Sequence, residues 1–536
     1  MNDDGNRLDG TTDAAPETHT VRLELADEPG ELLRALRPIA DGDGNLLTVL
    51  HERGSLSPRG RVPVTVEFRC PPSRFTAIVD ALETAGIAVV QADSEVYAGR
   101  LTVLLVGHVV DGDLSATLSE VERSPAASVV DLSLSASEGT SDVSAARLRL
   151  AVSPANGGAS EALSAVRDAA DRRNLRTIAP VETVEPTTGG DGTSTSHDPT
   201  VPTDDRRERT AAPAATTPQE DLRLAVMGAG VVGRAVCRAA DDRGHRIVAL
   251  ADSTGAAVDA DGLDTAAALD RKSERGRVGS GAPADALEAA YDVLVEATPT
   301  TLGDAQPGFG HAARALERDR SVVLANKGPV AERYADLQAR ASESDGRVRF
   351  GATVGGAVPL LSTIAGFGAA NVDSVRGVFN GTANFVCSRM SAEGLSYEHV
   401  LAEAQDLGVA ETDPSLDVEG TDAALKCVIV ANVVSEREWT LADADVTGIV
   451  DLPVRAFESA AAVDRAVRLV GTASRDGVCV GPRLVPTDGP LAVEGTRTLV
   501  RVETDAAGTI DVSGRGAGGP ETAAAILADV ARLASD

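Results

Sequence analysis

From about Val184 to Glu220 the chain runs through Glu185-Pro-Thr-Thr-Gly-Gly-Asp-Gly-Thr-Ser-Thr-Ser and Ala212-Pro-Ala-Ala-Thr-Thr-Pro, a stretch of Thr, Pro, Gly, Ser and Asp. Such a segment cannot bury enough apolar surface to offset the entropy of ordering it. It therefore lies outside any packed core, and the 536 residues are expected to fold as two globular halves joined by a flexible linker over 184–220. With 43% hydrophobic residues the halves can bury several cores, and the length predicts about three or four domains. Residues 1–19 are polar and acidic, which predicts a disordered tail and not a secretory signal.

Before the linker one pattern occurs twice. Alternating or apolar runs at 20–25, 45–53, 62–69 and 87–91 predict strands, and helical spacing at 30–40 and 72–85 predicts helices. The second copy places strands at 101–109, 128–133, 146–152 and 175–180, with helices at 113–124 and 160–173. Both read βαββαβ, a ferredoxin-like antiparallel sheet with two helices on one face, over domains 20–98 and 99–183. Asp27-Glu-Pro-Gly30-Glu-Leu-Leu turns sharply into a helix, and Gly44-Asn45-Leu-Leu-Thr-Val-Leu-His51-Glu-Arg follows. In these residues the first copy resembles an ACT domain, a module that in many biosynthetic enzymes binds an amino acid between paired copies. The second copy resembles it in pattern alone. The resemblance implies an amino-acid effector, with a simple dimerisation or packing module as the alternative.

The formal net charge is −31. That field excludes a general nucleic-acid binder and a protein of anionic membrane surfaces. It matches the surface acidity of proteins from salt-loving cells, where concentrated cations screen self-repulsion. Cys70, Cys237, Cys387, Cys427 and Cys479 are scattered without a Cys-x-x-Cys pair, which reads as free thiols in a reducing cytoplasm. No run approaches the roughly 18 apolar residues of a membrane span.

Lysine is used three times, at Lys272, Lys327 and Lys426, and arginine supplies the other 47 of the 50 basic residues. A compact ammonium of adjustable pKa is what arginine cannot replace, although compositional bias with chance survivors gives the same count. Position adds to the argument. Leu222–Met227 is an apolar strand leading into Gly228-Ala-Gly230-Val231-Val232-Gly233 and a helix, and a second strand ends at Asp252. Glycines at this spacing let the backbone approach a pyrophosphate at a helix N-terminus, with the acid placed for the ribose hydroxyls. This predicts a Rossmann-type dinucleotide-binding domain over 221–348, binding NADP or NAD. Two later strands run into Thr298 and into Asn326-Lys327, where residues past the carboxyl ends of parallel strands face the cofactor crevice.

An α+β substrate and dimerisation domain is expected over 349–500, with 501–536 returning to complete the cofactor domain. It carries Gly355-Gly356 before Pro359, Asn380-Gly381-Thr382-Ala-Asn384, Glu411-Thr-Asp413-Pro-Ser-Leu-Asp417-Val-Glu-Gly420-Thr-Asp422-Ala-Ala-Leu-Lys426, and Gly514-Arg-Gly516-Ala-Gly518. Asp422 and Lys426 are four residues apart on a predicted helix, so they share a face. A surface ion pair explains most such pairs and contributes about half a kcal/mol. Three further carboxylates just upstream suit a small zwitterion better.

In this order of motifs the chain from about 221 to 536 resembles homoserine dehydrogenase. The resemblance implies interconversion of aspartate semialdehyde and homoserine by a homodimer or higher homo-oligomer. It places Glu411 and Thr382 at the substrate ammonium, Asp422 and Lys426 at the reacting oxygen, and Asp417, Gly381 and Asn380 around the substrate. Lys426 is the expected proton donor with Lys327 assisting. Gly228, Gly230, Val231, Val232, Gly233, Asp252, Thr298, Lys327, Gly408 and Gly516 are expected to line the cofactor. The family's sodium site implies backbone oxygens of Val354, Gly356 and Val358, but Gly351 stands where the family has a glutamate ligand. The site then either persists on backbone oxygens and Glu411 or is lost. Two other readings stay open: an ACT-linked dehydrogenase of another amino-acid pathway, and a non-catalytic amino-acid-binding regulator.

Overall fold

A computed structural model of the chain describes residues 17–26, 28, 30–51, 61–92, 99–109, 114–135, 144–152, 158–181, 222–435 and 437–535. The linker, residues 1–16 and Asp27, Pro29, Glu52 and Arg53 of the ACT-like motifs lie outside these residues, and the tail expected over 1–19 is shorter than that, because Glu17–His19 already form the start of a strand. The chain divides into two compact units, Met1–Asp198 and Pro199–Asp536.

The first unit holds two four-stranded antiparallel sheets of one topology. In the first copy β1 (Glu17–Leu25), α1 (Glu31–Asp41), β2 (Asn45–His51), β3 (Val62–Cys70), α2 (Pro72–Thr84) and β4 (Ala88–Ala92) give the strand order β2-β3-β1-β4. In the second, β5 (Gly99–Gly107), α3 (Leu114–Val121), β6 (Ala127–Ser135), β7 (Ser144–Val152), α4 (Gly158–Asp171) and β8 (Arg176–Pro180) give β6-β7-β5-β8. Alternation explains each core: Val21, Leu23 and Leu25 of β1, and Leu101, Val103 and Leu105 of β5, point to the helices and are buried.

The second unit opens with a six-stranded sheet. Its elements are β9 (Arg223–Met227), α5 (Val231–Asp241), β10 (Arg246–Asp252), β11 (Gly255–Val258), α6 (Thr265–Arg275), α7 (Pro283–Glu288), β12 (Val293–Glu296), α8 (Gly308–Leu316), β13 (Ser321–Leu324), α9 (Gly328–Glu332), α10 (Tyr334–Ser342) and β14 (Val348–Arg349). The order is β11-β10-β9-β12-β13-β14, parallel except for the β10–β11 pairing. Because β12 lies on the opposite side of β9 from β10, the strand order reverses at β9, and the carboxyl ends of β9 and β12 open a crevice between them.

The remainder comprises α11 (Leu360–Phe367), β15 (Val372–Val378), α12 (Gly381–Glu393), α13 (Tyr397–Asp406), α14 (Ser415–Val418), α15 (Thr421–Val434), β16 (Asp445–Val446), α16 (Val454–Ala461), β17 (Arg465–Ser474), β18 (Val478–Pro486), β19 (Arg497–Thr504), β20 (Gly508–Arg515) and α17 (Gly519–Ser535). Strands β20-β19-β15-β17-β18 form an antiparallel run, with α12, α15 and α16 packed on β17.

The C-terminal return differs from the expectation. Strands β19 and β20 stay in the substrate sheet, where β19 pairs with both β15 and β20. Only α17 crosses back, burying Ala523, Ile526, Leu527 and Val530 among Leu224, Val226, Val236 and Cys237 of the dinucleotide core. Each large apolar side chain contributes about 1.5–3 kcal/mol there. Local alternation identifies a strand but not the sheet it joins.

Candidate active site

The glycine loop between β9 and α5 closes tightly on itself. A Cβ on Gly233 would collide with the carbonyl oxygen of Gly228, and one on Gly228 would collide with Ala297 O and lie 3.0 Å from Thr298 N. The loop thus abuts the turn after β12, and Gly230 and Val231 start α5 with Val231 75% exposed. An open helix N-terminus beside a bare backbone fits a dinucleotide phosphate. Asp252 ends β10, and its carboxylate is 2.6 Å from Lys272 Nζ of α6. Burial alone would raise the Asp252 pKa, but the Lys272 ammonium and the Thr254 donors hold it below the usual carboxylate range. No sequence spacing links Lys272 to Asp252, so the third lysine shows its partner only in three dimensions.

Past β12, Thr298 donates its N–H to Glu296 Oε1 (3.0 Å) and also its hydroxyl, while Asn326 Nδ2 donates to Thr298 Oγ1 at 3.1 Å. Lys327 follows Asn326 directly and caps α9.

The second group of residues comes from three separate elements. Asn380 caps α12 by accepting the Ala383 N–H (2.8 Å) and donates from Nδ2 to Asp417 Oδ1 (2.6 Å) and to Asp422 Oδ2 (2.8 Å). Asp422 sits in the first turn of α15, where a negative charge meets the positive end of the helix. Lys426 Nζ donates to Asp422 Oδ2 (2.6 Å) and to Phe379 O (2.8 Å), and Lys327 Nζ lies 3.3 Å from Asp422 Oδ1. One carboxylate therefore bridges both ammonium groups. The reading of an ordinary surface pair does not hold: α15 is apolar on nearly every side and Lys426 is 6% exposed. Burial would raise the Asp422 pKa, but the attraction of Lys426 and Lys327 and the hydrogen bonds from Lys426 and Asn380 outweigh it and keep the carboxyl well below its ordinary range.

Thr382 donates to Val409 O at 3.1 Å. Gly408, at φ 69°, ends the turn after α13, and Glu411 is exposed just beyond it, its carbonyl accepting from Gln405 Nε2 (3.2 Å). Glu411 is thus in the neighbouring loop and is not tied into the lysine cluster. Gly355 and Gly356 turn at φ 83° and 53°, and a Cβ on Gly356 would lie 2.7 Å from Gly516 O. Gly516 is therefore packed against the Gly-Gly turn.

The space a side chain at Gly351 would take is filled from α17. Asp529, 3% exposed, accepts the Gly351 N–H at 2.7 Å and pairs with Arg532 at 2.7 Å. Val358 O already accepts from Leu360 N at 2.8 Å. Asp529 thus brings a carboxylate already matched by a guanidinium, and among the described residues no group of three or more His, Cys, Asp or Glu side chains could hold a metal ion.

A Rossmann-type crevice facing a buried lysine–carboxylate bridge defines a dinucleotide-dependent oxidoreductase. Comparison with known proteins specifies which. The family model for homoserine dehydrogenase matches residues 359–531, one for an ACT domain matches 99–179, and one for glutamate/leucine/phenylalanine/valine dehydrogenase matches 209–299. The chain is 36% identical over 331 residues to homoserine dehydrogenase of Methanocaldococcus jannaschii, covering 58% of this chain and 98% of that one. It is 33% identical to an NAD(+)-dependent homoserine dehydrogenase of Pseudomonas canavaninivorans, covering 58% and 96%. A crystal structure of a putative homoserine dehydrogenase from Archaeoglobus fulgidus aligns at TM-score 0.54 and 38% identity, over 58% of this chain and 99% of that one. A hyperthermophilic archaeal homoserine dehydrogenase in complex with NADPH aligns at TM-score 0.51 and 26% identity, over 58% and 97%. The chain belongs to the homoserine dehydrogenase family, NAD(P)-dependent oxidoreductases, and carries an ACT domain in its N-terminal half. The ACT match falls on the copy whose sequence resembled one only in pattern.

Proposed function

We propose that this chain interconverts L-homoserine and aspartate 4-semialdehyde at the Lys426–Asp422–Lys327 bridge. The observation that carries the reading is that two of only three lysines meet on one partly buried carboxylate. An ammonium has three donors. Lys426 spends two, on Asp422 and Phe379 O, and the third is available to the substrate oxygen. In the reductive direction Lys426 gives that oxygen its proton, and in the oxidative direction the neutral amine takes it back. Lys327, the more exposed of the two at 22%, assists from the cofactor side of Asp422. Asp417 and Asn380 set the shape of the pocket by holding Asp422 in one rotamer, and Thr382 of α12, bonded to Val409 O, and Glu411 of the α13–α14 loop receive the substrate ammonium. Gly381 opens α12 close against Thr496, whose carbonyl oxygen would lie 3.0 Å from a Cβ there. The dinucleotide, held at Gly228–Gly233, Asp252, Thr298 and Gly516, supplies or accepts the hydride at its nicotinamide ring. No step in this chemistry needs the cation site at Val354, Gly356 and Val358.

An amino acid is the proposed effector of the ACT-bearing half, threonine being the product-like choice, and a homodimer or higher homo-oligomer in the cytoplasm is the proposed working form. Among the described residues no helix is long and apolar enough to cross a membrane. The test is nicotinamide absorbance with purified protein in molar KCl, supplying homoserine with NAD or NADP, with and without threonine. Homoserine-specific turnover is expected. Folded protein that turns over another amino acid, or none, overturns the reading.

A further inference from the structure

Beneath Thr298, at the carboxyl end of β12, lies a polar chain of Glu296, His311 and Asn326 that the chemistry above does not use. Glu296 closes β12 and is fully buried. Its Oε2 faces His311 Nδ1 of α8 at 2.6 Å, and its Oε1 accepts both the N–H and the hydroxyl of Thr298. A carboxylate accepts and cannot donate, so the Thr298 proton points down into the protein. On the other side, Asn326 has its orientation set by its own partners. Its Oδ1 accepts the Gly328 N–H (3.0 Å), which leaves Nδ2 to donate to Pro299 O (3.2 Å) and to Thr298 Oγ1 (3.1 Å). A hydroxyl has one donor and two lone pairs. With the donor taken by Glu296 and one lone pair taken by Asn326, Thr298 has one lone pair left. Thr298 is only partly buried, and its turn abuts the glycine loop at Gly228.

We infer that Thr298 is a one-way hydrogen-bond acceptor that selects the amide face of the nicotinamide, with Glu296, His311 and Asn326 as the residues that set its polarity. Of the two ends of the carboxamide, only the NH2 can meet a lone pair. Thr298 would therefore turn the carboxamide of a bound dinucleotide so that its nitrogen faces β12 and its oxygen faces away. This rests on the proposed placement of the dinucleotide along Gly228–Gly233.

The test uses cofactor analogues with the full chain. 3-Acetylpyridine adenine dinucleotide replaces the NH2 by a methyl group and cannot donate. Thionicotinamide adenine dinucleotide keeps the NH2. Each analogue has its own reduction potential, so the quantity read is the change between variants in the ratio of kcat/KM for the thionicotinamide analogue to that for the acetyl analogue. Thr298→Ser keeps the hydroxyl and is expected to keep the wild-type ratio. Thr298→Val removes the lone pair at nearly the same volume, and the ratio is expected to fall about tenfold, the worth of one hydrogen bond. Glu296→Met frees the hydroxyl to rotate and donate, so the ratio is expected to fall in the same direction. Should that variant not fold, the Thr298 pair decides alone. A ratio unchanged in Thr298→Val overturns the inference. Dinucleotide binding measured by nicotinamide fluorescence separates this from failure of the placement: if wild-type protein binds no dinucleotide, the functional reading has failed, and the inference with it.

Discussion

Replacing Asp422 by Asn removes one negative charge from between two ammonium groups at nearly constant volume. The lost attractions can be sized from the distances, 2.6 Å to Lys426 and 3.3 Å to Lys327. At an effective dielectric constant of about 20 they are gross terms of roughly 6 and 5 kcal/mol. The desolvation of the carboxylate is recovered at the same time, so the net cost of breaking such a buried pair is about 3–5 kcal/mol. Lysine chemistry gives an independent ceiling. An ammonium left without its counterion can release its proton, and for an ordinary lysine of pKa about 10.4 this costs about 4.6 kcal/mol at pH 7.

The two routes agree, and they carry a pH signature. In the wild type the folded-state pKa of Asp422 is depressed. Its contribution is fully present above the ordinary carboxylate pKa and is lost only as pH falls through the folded value, so it is constant from pH 6 to 9. Asp422→Asn lacks that acid-side loss, so the gap between the variant and wild type is expected to hold from pH 6 to 9 and to close as pH falls well below the ordinary carboxylate range. Urea unfolding at fixed KCl, at pH 7 and in acid, measures both effects. A variant within about 1 kcal/mol of wild type at pH 7 would refute the bridge as the structure draws it.

Lys426→Ala is expected to abolish turnover while leaving dinucleotide binding nearly intact, read by steady-state kinetics and by titration of nicotinamide fluorescence; a wild-type kcat refutes the proton-donor role. Gly351→Ala places a Cβ 2.8 Å from Asp529 Oδ2 and breaks the 2.7 Å bond to Gly351 N. It should cost about 1–3 kcal/mol in urea unfolding, and much less in an Asp529→Ala background, the two changes being non-additive because they share one contact. Cys70, Cys237, Cys387 and Cys427 are buried, and burial pushes the Cys237 thiol up to about 12 and the Cys387 thiol up to about 11. Alkylation of the native protein should therefore label Cys479 first, with the others reacting only on unfolding, as peptide mass mapping would show.

The amino-acid sequence by itself determined what depends on local order. The βαββαβ strands and helices of the first unit follow from side-chain period, and the glycines at Gly228 and Gly233 were legible because no other residue lets the backbone close that tightly. The motifs around Asn380, Asp422 and Lys426 were readable as motifs, and the two lysines stood out by rarity. Their meeting on one carboxylate was not readable, because Lys327 and Asp422 are brought together by packing between two domains of one unit and no local rule encodes that distance. Tertiary structure also decided that β19 and β20 belong to the substrate sheet and that Asp529 fills the space beside Gly351. It decided that Glu296 and His311, an unremarked strand end and a helix residue, set the direction of the Thr298 hydroxyl. Period and turn chemistry act over a few residues, whereas the burial of a charge and the choice of its partner depend on which surfaces the whole chain brings together.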